Sequence, residues 1–376
     1  MEFNYFLPVN LIFGRGSVDK VGTIAVEYGK KALIVTGRSS TKKSGLLDRV
    51  IKYLKKAEVD SVVFDQVRQN PLTTTAQEAA ELAKKEQCDV VIGVGGGSIM
   101  DCAKAAAFLA VNEGNINDYI FNRLKSEKAL PIILIPTTCG TGSEGNGFAV
   151  LTNPENGDKK SLRCNAIVAK ASIIDSECMM TMPKGILASV GFDALCHCME
   201  AYVSRISQPL TDMMCEKAME LIGKHLIPLY EGECEPESWD AVSFASTIGG
   251  MVINTAGVTL PHGMEHPASG LRDITHGKGL AAITPVVMEA SIEGNPEKYA
   301  VISRCLGGKD ETDCVATIKN FLEKLQLTVT LGELGIKEED IPWMAENCMK
   351  VSAAGIANHP VVFEQKQIEE LYRKAL

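Results

Sequence analysis

Four short apolar runs dominate the first half of the chain, and helical spacing follows each. Lys31–Thr36, Ser61–Asp65, Asp89–Val94 and Pro131–Pro136 are rich in Val, Ile and Leu with few polar breaks. Apolar character that is continuous rather than alternating predicts strands buried on both faces. Strand and helix in turn predict a parallel sheet. Past about residue 182 the pattern changes to helical spacing, predicted from Lys184 to Glu231. Further helices are predicted over Trp239–Thr255, Glu297–Leu306, Cys314–Leu325, Asp340–Ala353 and Gln365–Ala375. The expected fold is an α/β domain with a doubly wound parallel sheet over residues 1–182, then an all-α domain over residues 183–376. Pro183 suits the first turn of the helix that opens the second domain.

Composition narrows the function classes. Of 376 residues, 45% are hydrophobic and 23% charged, which excludes disorder, collagen and coiled coil as the main architecture. A formal net charge of -9 argues against a nucleic-acid partner, because phosphate binding needs clustered positive charge. No apolar run approaches the roughly 20 residues of a membrane span, so no membrane partner is expected. The start, Met1-Glu2-Phe3-Asn4-Tyr5, has no basic and apolar signal pattern. Twelve scattered cysteines without a Cys-x-x-Cys pair read as buried, reduced thiols in a cytoplasmic protein. Cys196 and Cys198 flank His197 and could bind a soft metal, but alternate residues of a helix point to different faces.

Candidate chemistry starts at the strand ends. Gly95-Gly96-Gly97-Ser98 runs from a buried strand into a helix. Glycines let backbone N–H groups approach an anion, and a helix N-terminus favours negative charge. Alone, such a loop is as well read as a structural turn. A second small-residue loop, Thr137 to Ser143, follows the next strand, and the pair favours a nucleotide site. The loop after the first strand reads Gly37-Arg38-Ser39-Ser40-Thr41-Lys42-Lys43, with no acidic residue for a ribose 2′-hydroxyl. It suits a 2′-phosphate, so NADP is favoured over NAD, against a bland reading as a solvated basic loop.

All six histidines lie in the helical half. Asp193 and His197 are four apart, as are His262 and His266, a spacing that puts each pair on one helical face. His276 follows. One Asp with several imidazoles suits Fe(II), Zn(II) or Mn(II). His225 and His359 read as structural. His262-Gly263-Met264-Glu265-His266 also matches the H-x-x-E-H pattern of a protease family. That chemistry needs a helix carrying both histidines, and Pro261, Gly263 and Pro267 predict only a short one.

A nucleotide half joined to a metal half brings a known family into view. Gly95 to Lys104, GGGSIMDCAK, resembles the GGGSxxDxAK signature of the iron-containing (group III) alcohol dehydrogenases. Pro136 to Glu144 is similar to that family's PTTxGTGSE loop. Gly191 to Glu200, GFDALCHCME, is similar to its GxDALxHxxE helix, and the segments around His262 and His276 to its remaining histidine motifs. The likeness runs from about Pro8 to the C-terminal helix.

The resemblance implies a dinucleotide-binding N-terminal domain and a metal-binding C-terminal domain. It implies metal ligands at Asp193, His197, His262 and His276, with Fe(II) as the metal and Zn(II) the other candidate. His266 becomes a candidate for proton transfer rather than a ligand. Cofactor contacts carry over to Gly96, Gly97, Ser98, Thr137, Thr138, Thr141, Asn70 and Lys160, beside Gly37, Arg38 and Ser39 at the 2′-phosphate end. Gly37 stands where NAD-preferring members often carry Asp. A homodimer is also implied. The chain departs from the family pattern at Gly145-Asn146-Gly147-Phe148 and at Asp175-Ser176. Asp101 and Lys104 read equally well as a helix cap and a surface charge or as functional residues.

The expected activity is reversible hydride transfer between a small primary alcohol or aldehyde and NADP or NAD. The alternatives are a metal-dependent, non-redox lyase or synthase on the dehydroquinate-synthase-like scaffold, the protease, and a non-catalytic binding module.

Overall fold

A computed structural model describes residues 2–233 and 235–376; Cys234, one of the cysteines read above as a reduced thiol, lies outside them. Eight strands occur among the described residues: β1 (Asn10–Phe13), β2 (Lys31–Gly37), β3 (Asp60–Val67), β4 (Val90–Gly95), β5 (Ile132–Pro136), β6 (Phe148–Thr152), β7 (Lys159–Arg163) and β8 (Ala171–Ile174). Six of them form one sheet in the order β1-β8-β5-β4-β2-β3, parallel throughout. β6 and β7 form a separate antiparallel hairpin. The four predicted strands are β2 to β5. The short edge strand β1, the strand β8 and the hairpin were not predicted.

The period of two sorts the sheet into two cores. Leu33 and Val35 of β2, Val91 of β4 and Leu134 of β5 face one side. There the alanines Ala76, Ala79, Ala80 and Ala83 and the helix Gly97–Leu109 cover them. Ala32, Ile34, Ile92, Val94, Ile133 and Ile135 face the other side, packed on Val50 and Leu54 of the helix Leu46–Lys56. With both faces covered, every residue of β4 and β5 is buried, which explains their unbroken apolar sequences.

The order of strand addition reverses at the β2–β4 neighbours: β3 continues to one side, β5 and β8 to the other. A crevice opens above such a switch point, at the carboxyl ends of the strands. Gly37 and Gly95 stand at those ends. The loop after β5 lies beside the loop after β4, tied to it by Thr137 N–H donating to Gly95 C=O at 3.1 Å.

The second half is helical, with long helices at Lys184–Val203, Pro209–Glu231, Pro236–Ala256, Leu260–Arg272 and His276–Glu289. The predicted segment Lys184–Glu231 is thus two helices, broken after Val203. Lys184–Val203 is long and apolar enough to cross a membrane, contrary to the sequence expectation. Within the fold 89% of its most apolar window is buried, as in a core helix. The halves meet closely at Gly142, in the loop after β5. With a φ of +58°, a Cβ there would come within 2.4 Å of Gly250 N in the helix Pro236–Ala256. Only glycine allows both the backbone angle and the approach.

Lys104 holds this junction from inside. It is fully buried rather than a surface charge. Its Nζ donates to Ser143 C=O at 2.5 Å, Ser143 Oγ at 2.8 Å, Asn146 Oδ1 at 3.0 Å and Phe148 C=O at 2.8 Å. Asp101 is no helix cap. Its carboxylate accepts from Ser143 Oγ at 2.6 Å and from Val150 N–H at 3.0 Å. Together the two side chains fasten the helix Gly97–Leu109 to the loop after β5 and to the hairpin. Replacing Lys104 by Met should leave Asp101 buried without its counter-charge, at a cost of about 3 kcal/mol. Chemical unfolding measures this, and an unchanged midpoint would remove Lys104 from the role.

Candidate metal centre and cofactor cleft

Three helices deliver the candidate ligands. Asp193 and His197, with Glu200 at the next helical turn, share one face of Lys184–Val203. His262, Glu265 and His266 lie on Leu260–Arg272, and His276 is the first residue of His276–Glu289. Pro261 sits in the first turn, where its missing N–H costs nothing, and Pro267 is accommodated within the helix. The expectation of only a short helix here is therefore corrected: the helix runs for 13 residues.

The side chains converge on one oxygen. Asp193 Oδ1 lies 3.4 Å from His262 Nε2, 3.6 Å from His276 Nε2 and 3.7 Å from His197 Nδ1. Asp193, His262 and His276 each offer an atom to a common point. His197 stands beside this trio, its ring stacked on His262 with centroids 4.5 Å apart. Among the described residues Asp193 Oδ1, His197 Nδ1 and His262 Nε2 are buried and make no hydrogen bond. Buried polar atoms are otherwise almost always paired, so three orphans aimed at one another fit a bound cation. The Asp and His donor set is that of Fe(II) or Zn(II).

A second layer of carboxylates orients these donors. Glu200 Oε1 lies 2.6 Å from His262 Nδ1, leaving Nε2 for the metal. The other oxygen of Glu200 accepts from Thr259 N–H at 2.7 Å, at the start of the helix that carries His262. Glu265, fully buried, contacts His276 Nδ1, accepts from Ser269 Oγ and faces Lys159 Nζ at 3.5 Å.

The electrostatics follow. Burial opposes charge on Asp193, but His197, His276 and His262 outweigh it and hold the carboxyl well below its ordinary range. Burial lowers His197 to about 4, so this imidazole is neutral at pH 7. Burial also opposes charge on His262, yet Glu200 and Asp193 raise it to about 10. Burial, with Lys159 adding to it, drives His266 well below the ordinary histidine value.

Next to this centre runs a cleft of about 450 Å3. Its lining includes Ser40, Thr41, Asn70, Gly96, Gly97, Ser98, Thr137, Thr138 and Thr141, and also Asp193 and His276. The N–H groups of Gly97 and Ser98 belong to the first helical turn, where no intrahelical acceptor exists. They suit a pyrophosphate. Asn70 donates to Asp273 Oδ1 at 2.7 Å and accepts from Lys159 Nζ at 2.9 Å, linking the cleft to the segment that leads to His276.

Four predicted positions, Gly37, Arg38, Ser39 and Lys160, fall outside this cleft lining. Lys160 Nζ bonds Val351 C=O at 2.6 Å, while its neighbour Lys159 shares with Ser161 and Arg163 the face of β7 that looks into the site. Arg38 donates to Gln66 at 3.3 Å and lines a neighbouring hollow with Arg68, and Ser39 gives way to Ser40 and Thr41. Gly37 ends β2 against Ile99 with no acidic side chain. Sequence reasoning also missed Glu200 and Glu265. Glu200 closed a motif quoted for its ligands, and Glu265 was visible only as the central acid of H-x-x-E-H. That acid is engaged by Lys159, Ser269 and His276, and His266 stands outside the ligand trio, so the protease geometry is absent among the described residues.

Comparison with known proteins decides the family. The model of the iron-containing alcohol dehydrogenases matches residues 8–176, and that of the Fe-containing alcohol dehydrogenase family, C-terminal, matches residues 187–376. The chain belongs to the iron-containing alcohol dehydrogenase family. It is 33% identical to the 1,3-propanediol dehydrogenase of Citrobacter freundii, over 99% of this chain and 98% of that protein. It is 31% identical to the NAD-dependent methanol dehydrogenase of Bacillus methanolicus, over 99% and 100%. Among solved structures, an archaeal halo-thermophilic Red Sea brine pool alcohol dehydrogenase bound to NZQ superposes with a TM-score of 0.96 at 35% identity, covering 100% of this chain and 99% of that one. Like these iron-containing alcohol dehydrogenases, the chain is an oxidoreductase whose family implies a metal and a nicotinamide cofactor.

Two outcomes test the centre. Glu200→Gln should weaken metal binding about 10- to 100-fold, measured by competition with a chelating dye, because His262 loses its orienting carboxylate. Equal affinity would exclude the positioning role. In the metal-free site His262 keeps a proton at neutral pH, and a cation must displace it. Affinity should therefore rise by about tenfold per pH unit between about pH 6 and 8. A flat profile would show that no proton is displaced.

Proposed function

We propose that the protein interconverts small aldehydes and primary alcohols, using NADP in preference to NAD and Fe(II) held by Asp193, His197, His262 and His276. The carrying observation is the meeting of two half-sites. Asn70, Gly97, Ser98, Thr141 and His276 line both the cofactor cleft and a cavity of about 120 Å3 over the metal ligands. A cofactor on the helix Gly97–Leu109 therefore ends beside the ligands. When bound, the cation supplies Lewis-acid polarisation of the substrate oxygen and the nicotinamide the hydride.

The chain's own residues do the rest. Phe148, Ile253 and Val258 wall the cavity and keep water from the reacting carbon. His266 lines the same cavity, its ring 6.3 Å from His262 and 5.9 Å from His276. Being neutral, it is suited to relay the hydroxyl proton, taking it at one ring nitrogen as the other gives one up, rather than to store it as an imidazolium. NADP is supported by the loop after β2, which offers Gly37, Ser40 and Thr41 and no carboxylate to repel a 2′-phosphate. Lys42 is engaged by Asp65 and Arg38 by Gln66, so hydroxyl and backbone donors carry most of that recognition.

The test is anaerobic nicotinamide consumption with Fe(II) and short aldehydes. Metal- and aldehyde-dependent oxidation of NADPH is the expected result. Metal-loaded protein that consumes neither NADPH nor NADH would sink the redox reading in favour of a lyase. Gly37→Asp should raise the KM for NADPH by about tenfold or more, with a smaller effect on NADH. Equal effects on both would refute the NADP argument.

A further inference from the structure

Beyond the cavity over the candidate ligands, the site opens into another cavity of about 400 Å3, which shares no lining residue with the cofactor cleft. Ser161, Arg163, Val258 and His266 line both this cavity and the one over the ligands, so the two are continuous. Its wall carries three cationic side chains, Lys160, Arg163 and Arg205, and among the described residues no Asp or Glu. In a chain of net charge -9 this is a marked local reversal.

The three charges are poorly compensated. Arg163 makes no ion pair among the described residues, and its guanidinium lies over the Phe148 ring at 4.4 Å, a contact that positions it without neutralising it. It is exposed to water through the cavity, so its charge stays solvated and open to an incoming anion. Lys160 gives its ammonium to Val351 C=O, and Arg205 donates to Pro360 C=O at 3.1 Å. Asp158, the acid nearest Lys160 in sequence, is engaged by Lys350 at 2.7 Å and by Asn347 at 2.7 Å. Asp101, on the ligand side, is held by Ser143 and Val150. A solvated guanidinium with no carboxylate partner is free to exchange its water for the paired oxygens of a carboxylate or sulfonate.

We infer that the substrate carries an anionic group, a carboxylate or a sulfonate, which Arg163 receives with Lys160 and Arg205 while its aldehyde or alcohol oxygen reaches the metal centre. This rests on the dehydrogenase reading above and names its substrate class. The reaction balances as before: aldehyde, reduced nicotinamide and one proton give alcohol and oxidised nicotinamide, and the anionic group is unchanged. Arg163 is a specificity residue that touches the remote end of the substrate.

Two measurements test it. The first compares kcat/KM for succinic semialdehyde, its sulfonate analogue and the uncharged butanal in the metal-loaded enzyme. The anionic aldehydes should be favoured by about tenfold or more, chiefly through KM, and Arg163→Gln should remove about tenfold of that ratio, with Arg163→Lys keeping part of it. The larger ratio of the two anions tells carboxylate from sulfonate. The second is calorimetric binding of gamma-hydroxybutyrate and of butanol to metal-loaded protein without nicotinamide, where no turnover occurs. Tighter binding of the anion, weakened by salt and by Arg163→Gln, supports the subsite even if no aldehyde is reduced, in which case only the redox reading fails. Equal binding of the two ligands, or an anionic preference that survives Arg163→Gln and Arg205→Gln together, would overturn the proposal.

Discussion

A carboxylate buried among imidazoles is the constraint around which this protein is built. Asp193 is almost wholly buried, and its Oδ1 has no hydrogen-bond donor of its own among the described residues. An isolated buried charge costs several kcal/mol, so the surroundings must supply positive charge. Three helices are brought together to do so, and acids on two of them orient histidines on the next: Glu200 contacts His262 and Glu265 contacts His276. Glu200 shows the economy of this arrangement. One carboxylate orients His262 and also satisfies the backbone at the start of the helix that carries it.

The same logic joins the halves. The cofactor cleft needs backbone donors at strand ends, and the metal needs helices, so the reaction can only occur where the two architectures touch. That contact is made by small residues and one buried lysine. Gly142 and Gly250 let the loop after β5 reach the helix Pro236–Ala256, while Lys104 draws Ser143, Asn146 and Phe148 onto the helix that starts the cleft. The departure at Gly145-Asn146-Gly147-Phe148 falls on this seam. Asn146 is a partner of Lys104, and Phe148 carries the guanidinium of Arg163, so those changes reach the substrate side of the site.

Much of this was legible in the sequence, for identifiable reasons. β2 to β5 are central strands whose two covered faces demand continuous apolar runs, and glycines at their ends mark the cleft. Asp193, His197, His262 and His276 sit at helical spacings or beside glycine, and the structure brings Asp193, His262 and His276 within reach of one point with His197 beside them. β1 and β8 stayed hidden because each has only four residues, too few to show a period. Glu200 and Glu265 stayed hidden because orienting a ligand is a relation between helices, which linear spacing does not record. Lys104 could not be told from a surface charge because its acceptors are backbone and small side chains far along the chain.

The pair Lys159 and Lys160 shows what a single missed element costs. Lys160 was expected to serve the cofactor, and which of the two neighbours faces the site depends on the phase of a strand. Without the hairpin that phase is undefined. With it, Lys159 pairs across from Thr152, Ser161 from Val150 and Arg163 from Phe148. These alternate residues share one face. Lys159 thereby joins the charged network of Asn70, Glu265 and His276, and Arg163, on the same face, stands at the far side of the reacting cavity. One period-two assignment thus turns Lys159 toward the carboxylate of Glu265 and Arg163 toward the cavity, so the hairpin sets which cations face the site.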